Sequence, residues 1–405
     1  MKTILVVWLA FIMVFASVAG SKGQAKAADE TGIRIGAEQT EKYVPLLQGK
    51  RVAIVANQTS IIGKTSLVDS LKALGVNIVM IFGPEHGFRG TASAGAMVAD
   101  SVDAKSGITV ISLYGKKNKP TNQDLANVDL MIFDIQDVGA RFYTYINLLA
   151  AVMEACAQNG KEMLILDRPN PNGYCIDGPI LDMKLRSGIG EFPLPITHGM
   201  TIGELAGMYN GEGWLANKVQ CKITVIPVGN YSHALEYVLP VAPSPNLNTQ
   251  QSVLLYPSLC LFEGTIISQG RGTRFPFTVL GNPDLKGKYE FSFTPVSIKG
   301  MSETPLFQNQ ACYGIDLRKY DTSELRKSGK INLSWLLEFY KAYPYKEKFF
   351  DKKQSRQMGS FDHLAGVYLL RQQIIAGKSE QEIRESWEPG LSDFKKKREK
   401  YLIYK

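Results

Sequence analysis

Short apolar runs that each end abruptly in Gly, Pro and charged residues limit the fold of this chain more than any other feature. Arg51–Ala56 (RVAIVA), Ile78–Phe82 (IVMIF), Ile108–Leu113, Leu130–Ile135 and Glu162–Leu166 (EMLIL) are too short for helices. Their β-branched content suits strands buried on both faces of a sheet. Helical patterns lie between them. Ser66 stands where a cap precedes Leu67, Leu71 and Leu74, Gly75 ends that pattern, and Tyr145–Ala157 forms a longer one. Strands alternating with helices predict an α/β domain built on a mostly parallel layered sheet.

The polar clusters follow the strands. GPEHGFRG (83–90) follows the second run, DIQDVGARFYTY (134–145) the fourth, and DRPNPNG (167–173) the fifth. In open parallel sheets ligands bind at the carboxyl ends of strands, so three such clusters at one edge point to a site. Thr201 with Glu204 forms a capping box before a helix starting near Ile202, Lys222–Val228 reads as another strand, and Ala242–Asn248 reads as a rigid extended loop. The pattern changes near Leu285. Tyr289–Val296 and Cys312–Leu317 read as strands, and Leu333–Tyr343, His363–Ile375 and Ser379–Trp387 as helices. The expected division is a signal segment at 1–27, a catalytic domain at 28–285 and a smaller α+β domain at 286–405.

Hydrophobic content of 45% and charged content of 21% are those of a globular chain. Lys2, the apolar run Ile4–Phe15 and the small-x-small triplet Ala25-Lys26-Ala27 read as a secretory signal peptide. Secretion or a periplasmic, wall-associated location is therefore expected, with no membrane span in the mature chain. Loss of Lys2, Lys22 and Lys26 with that segment lowers the formal charge from +8 to +5. This modest basic balance suits anionic polymers such as a bacterial wall, and no basic–aromatic interleaving suggests nucleic acid. The five Cys are scattered without C-x-x-C, and the four His make no paired metal spacing, so neither a metal site nor another cofactor is expected. Gly270-Arg271-Gly272 lacks the remainder of a dinucleotide fingerprint, and no G-x-S-x-G occurs.

The loop carboxylates are Glu85, Asp134, Asp137, Asp167 and Glu263. Glycoside hydrolysis needs a protonated carboxyl for the leaving oxygen and a second group for water or the oxocarbenium-like charge. Glu85, beside His86, is the candidate acid. Arg141, Arg168 and Arg271 offer forks for a ligand carboxylate, or equally for a neighbouring loop acid. Tyr143 suits a sugar ring, whereas Tyr145 opens an apolar helix and reads as core.

Taken together, GPEHGFRG, DIQDVGARFYTY, DRPNPNG, HGMTIGEL (198–205), PSPNL (243–247), FEGT (262–265), SQGRGT (268–273) and FKKKREKYLIY (394–404) resemble the NamZ-type exo-β-N-acetylmuramidases over nearly all of the chain beyond the signal segment. The resemblance implies a Rossmann-like domain without a dinucleotide, a smaller second domain and a cleft between them. It further implies a secreted exo-glycosidase that releases terminal N-acetylmuramic acid from the non-reducing ends of peptidoglycan fragments. The family's central glutamate maps onto Glu85 and its neighbouring His onto His86, with Glu263 and Asp137 as candidates for the second catalytic group. Arg141, Tyr143, Arg168, Asn170, His198, Asn246 and Arg271 are the expected substrate contacts. The alternative is a non-catalytic extracytoplasmic protein that binds wall muropeptides in the same cleft.

Overall fold

The computed structural model describes residues 32–85, 87–89, 99–115, 117–350 and 360–404, so the expected signal segment and His86 lie outside the described residues. A seven-stranded sheet organises the N-terminal domain. In chain order its strands are β1 (Val52–Ala56), β2 (Ile78–Gly83), β3 (Ser101–Val102), β4 (Thr109–Ser112), β5 (Leu130–Asp134), β6 (Glu162–Leu166) and β7 (Ile223–Ile226). They lie side by side as β7-β6-β5-β1-β2-β4-β3, all parallel except the edge pair of β3 with β4. The chain moves outward from β1 through β2 to β4, then returns to the opposite side of β1 as β5. That reversal opens a crevice at the carboxyl ends of the central strands.

Side chains alternate between the two faces of a strand, and both faces here are covered. Ala53, Val55, Met131, Phe133, Met163 and Ile165 enter one core with helix Tyr145–Gln158. Val52, Ile54, Leu130, Ile132, Leu164 and Leu166 enter the other, with Tyr43 and Leu47 of helix Thr40–Leu47 and Leu67 and Leu71 of helix Leu67–Ala73. The apolar runs are therefore continuous because neither side of the sheet meets water.

The smaller C-terminal domain holds an antiparallel sheet of β8 (Val279–Asn282), β9 (Phe291–Phe293) and β10 (Cys312–Asp316), in the order β8-β10-β9, with helices around it. Its longest helix, Glu380–Arg398, begins at Ser379, whose hydroxyl accepts from the Glu382 amide. Strand β8 stands before residue 285 in the chain.

Several elements differ from expectation, and the helix expected to end at Trp387 runs to Arg398. The helix read at His363–Ile375 is two, Phe361–Ala365 and Leu369–Ile375, because Gly366 adopts φ +81°. A Cβ there would lie 2.4 Å from Arg141 Nη2, so packing against a residue far away in sequence ends the first helix. The strand read at Tyr289–Val296 pairs only over Phe291–Phe293. Helix Gln250–Leu259 was not anticipated. Its cap is Thr249, which accepts from the Ser252 amide, and Ser252 is a weaker signal than the acidic partner of a usual capping box.

Candidate active site

The crevice at the reversal holds a pocket of about 520 Å³, counting its open mouth. Glu85 reaches it from the turn after β2, where Pro84 follows the last strand residue. Tyr143 and Tyr145 arrive from the loop after β5. Asn246, Tyr256, Arg271 and Phe277, from later in the chain, complete its lining.

Aromatic rings form a continuous wall. Tyr145 meets Tyr143 edge to face at 4.9 Å between centroids, Tyr143 meets Tyr256 at 5.9 Å, and Tyr256 meets Phe277 at 5.0 Å. The Arg271 guanidinium stacks 5.0 Å from the Phe277 centroid. Its Nε donates to Glu263 Oε1, which also accepts from Gln269 Nε2 at 2.8 Å. Burial opposes the charge on Arg271, yet Glu263 holds its pKa above the ordinary arginine value. Glu263 itself does not line the pocket and acts by aiming Arg271. The extended loop before Asn246 is pinned at Pro243 O, which accepts from Tyr143 Oη and Gln58 Nε2, both at 2.9 Å. Around half-buried Glu85 the phenols remain protonated. Burial pushes Tyr114 up to about 12 and raises Tyr143 and Tyr145 further.

The other expected site residues form a polar layer behind this wall. Arg168 grips Asp134 through Nε–Oδ1 at 2.5 Å and Nη2–Oδ2 at 2.9 Å. Arg141 is 1% exposed and donates to Pro179 O, Leu194 O and Leu364 O, so its fork holds backbone carbonyls at the seam of the two domains. Burial lowers its pKa to about 9. Asn170 Nδ2 donates to Met200 O and its Oδ1 accepts from the Asn172 amide. Asp137 Oδ2 accepts from the Gly139 amide at 2.7 Å and lies 3.6 Å from His198 Nε2. His198 is fully buried, with Nδ1 accepting from the Met200 amide. The structure thus brings Glu85, Tyr143, Asn246 and Arg271 to one pocket, with Arg141, Arg168, Asn170, His198, Asp137 and Glu263 packed behind it. Among the described residues, no cluster of His, Cys, Asp and Glu has the makings of a metal site.

Family models for the N-terminal and C-terminal parts of the exo-β-N-acetylmuramidase NamZ match residues 52–251 and 254–404. The chain belongs to the NamZ exo-β-N-acetylmuramidase family. The peptidoglycan β-N-acetylmuramidase NamZ of Bacillus subtilis (strain 168) is 37% identical over 427 aligned residues, with 100% of both chains covered. Two crystal structures of DUF1343 family proteins from Bacteroides fragilis NCTC 9343 share the fold. One has a TM-score of 0.84 at 45% identity and the other 0.77 at 29%, each covering 92% of this chain and 99% of its own.

Residues of this NamZ-family pocket that escaped the sequence reading include Tyr256, Phe277 and Ser244. Tyr114, just beyond β4, lies outside the lining but beside Glu85. Tyr256 sits in the unforeseen helix, and Phe277 and Ser244 carry no local mark of a site. Tyr145, read as core, is both buried and on the pocket wall.

Proposed function

We propose that the protein is a secreted, exo-acting glycosidase that removes terminal N-acetylmuramic acid from the non-reducing ends of peptidoglycan fragments, with Glu85 as general acid. The observation that carries this reading is the placement of Glu85 on an aromatic-walled pocket opposite a fixed guanidinium, in a chain of the NamZ family. The aromatic wall suits the face of a sugar ring. Arg271, aimed by Glu263, pairs with the lactyl carboxylate that distinguishes muramic acid from other amino sugars. Glu85 gives its proton to the bridging oxygen as the bond to the anomeric carbon breaks, and water then adds at that carbon, its surplus proton returning the Glu85 carboxylate to the acid form. The apolar run behind Lys2, followed by Ala25-Lys26-Ala27, supports secretion.

Incubation with a chromogenic N-acetylmuramic acid glycoside tests the reading. Release by the native protein and its loss in Glu85→Gln are expected. Saturable muropeptide binding without release by the native protein would instead identify a binding protein.

A further inference from the structure

The five cysteines are thiols in the structure, and two of them meet. The side chains of Cys156 and Cys221 are hydrogen-bonded to each other inside the core that covers one face of the large sheet. The other three are engaged elsewhere. Cys175 Sγ lies 3.2 Å from Thr197 Oγ1, Cys260 Sγ donates to Glu263 Oε2 at 3.6 Å, and Cys312 Sγ donates to Gln310 O at 3.8 Å.

The backbone on each side of the pair is fixed. Cys156 stands in the last turn of helix Tyr145–Gln158, where its carbonyl accepts from the Lys161 amide at 2.8 Å. Cys221 stands just before β7, and one side chain of helix Ile202–Gly211 grips it twice. Asn210 Oδ1 accepts from the Cys221 amide at 3.1 Å, and Asn210 Nδ2 donates to Cys221 O at 2.8 Å. The start of β6 joins the two positions, since the Met163 amide donates to Lys222 O at 2.9 Å. The helix that opens on the pocket wall at Tyr145 has returned along the sheet by Cys156, so the pair sits at the amino ends of the strands, away from Glu85.

Sulfurs already in contact reach bonding distance by side-chain rotation, and an oxidising compartment outside the cytoplasm favours the bond. We propose that Cys156 and Cys221 form a disulfide when the chain is exported. This assignment rests on the secretion part of the functional reading. The bond ties β7, an edge strand paired only with β6, to the helix packed behind it. Because Cys156 is 0% and Cys221 4% exposed, exchange takes place before folding is complete. One cysteine thiolate attacks the disulfide of a thiol oxidoreductase, or of oxidised glutathione, and frees one sulfur of that oxidant. The second cysteine thiolate attacks the cysteine sulfur of the resulting mixed disulfide, forming the Sγ–Sγ bond and freeing the other sulfur. The two cysteines lose two electrons to the oxidant's disulfide, and the two protons they lose pass to the two thiols released.

Refolding the full chain in a glutathione redox buffer, then denaturing and alkylating it without reductant, counts the thiols by mass spectrometry. Three alkylated cysteines and a peptide pair joining Cys156 to Cys221 are expected, against five alkylated cysteines after reduction. Reductant should lower the melting temperature of the oxidised protein by about 5 °C and leave that of a Cys156→Ala, Cys221→Ala double variant unchanged. Five free thiols after oxidative refolding, a bridge to any other cysteine, or an equal effect of reductant on the double variant would overturn the pairing. The same thiol count on protein taken from the producing cell separates the two readings. A bridge that forms in glutathione but is missing from the cell's protein overturns export to an oxidising compartment and leaves the pairing itself standing.

Discussion

Two polar layers lie at the same edge of the sheet, and they behave in opposite ways. Behind the wall, Asp134 with Arg168, and Asp167 with Tyr404 and Thr201, spend their hydrogen bonds on one another. On the wall, Glu85, Tyr143, Asn246 and Arg271 line an open pocket. The first layer holds the strand-end loops in place, and the second is what those loops present. A polar residue at a strand end is therefore evidence of a site only once its partners have been counted.

The largest effect that would break this contrast is at Glu85. Glu85→Gln should lower kcat/KM by about 10²–10⁴-fold with the melting temperature unchanged, as removal of a general acid does. If stability fell as well, Glu85 would belong to the structural layer. Arg168→Met should do the reverse, costing about 3–5 kcal/mol in denaturant unfolding because Asp134 is left buried and uncompensated. Replacing Asp134 by Leu at the same time should recover most of that loss.

Tyr404→Phe should cost about 1.5–3 kcal/mol by removing the hydroxyl that donates to Asp167 Oδ2 at 2.6 Å. It also carries a pH signature. Burial pushes Asp167 from its ordinary 3.8 up to about 6, against the hydrogen bonds from Tyr404, Thr201 and the Gly203 amide. The folded protein then holds the proton more tightly than the unfolded chain, so this contribution to stability is full below pH 3.8 and is lost as pH rises through about 6. Without the Tyr404 hydroxyl the loss should extend to higher pH, read as melting temperature against pH. Smallest of all, Tyr143→Phe should cost about 0.5–1.5 kcal/mol in denaturant unfolding, the worth of one neutral hydrogen bond.

Much of the sheet was legible because strands buried on both faces leave continuous apolar runs, and the loops leaving them had to be polar. The pairing of those loops was not legible. Asp134 meets Arg168 only because β5 and β6 lie side by side, and both residues look alike in the sequence whether they face a ligand or each other. Arg141 shows the same limit. Its three carbonyl partners come from residues 179, 194 and 364, and no local pattern announces backbone acceptors. Tyr145 was legible as core from its apolar helix, and its burial agrees, but its place on the pocket wall leaves no trace in hydrophobic periodicity.

The bond between Asp167 and Tyr404 spans 237 residues. While the polypeptide is being made, the carboxylate at the end of β6 waits for a phenol that leaves the ribosome long afterwards. The growing N-terminal half must therefore carry that carboxylate either wet or protonated until the tail arrives, and the final turn of the chain acts as the bolt that shuts the domain made first.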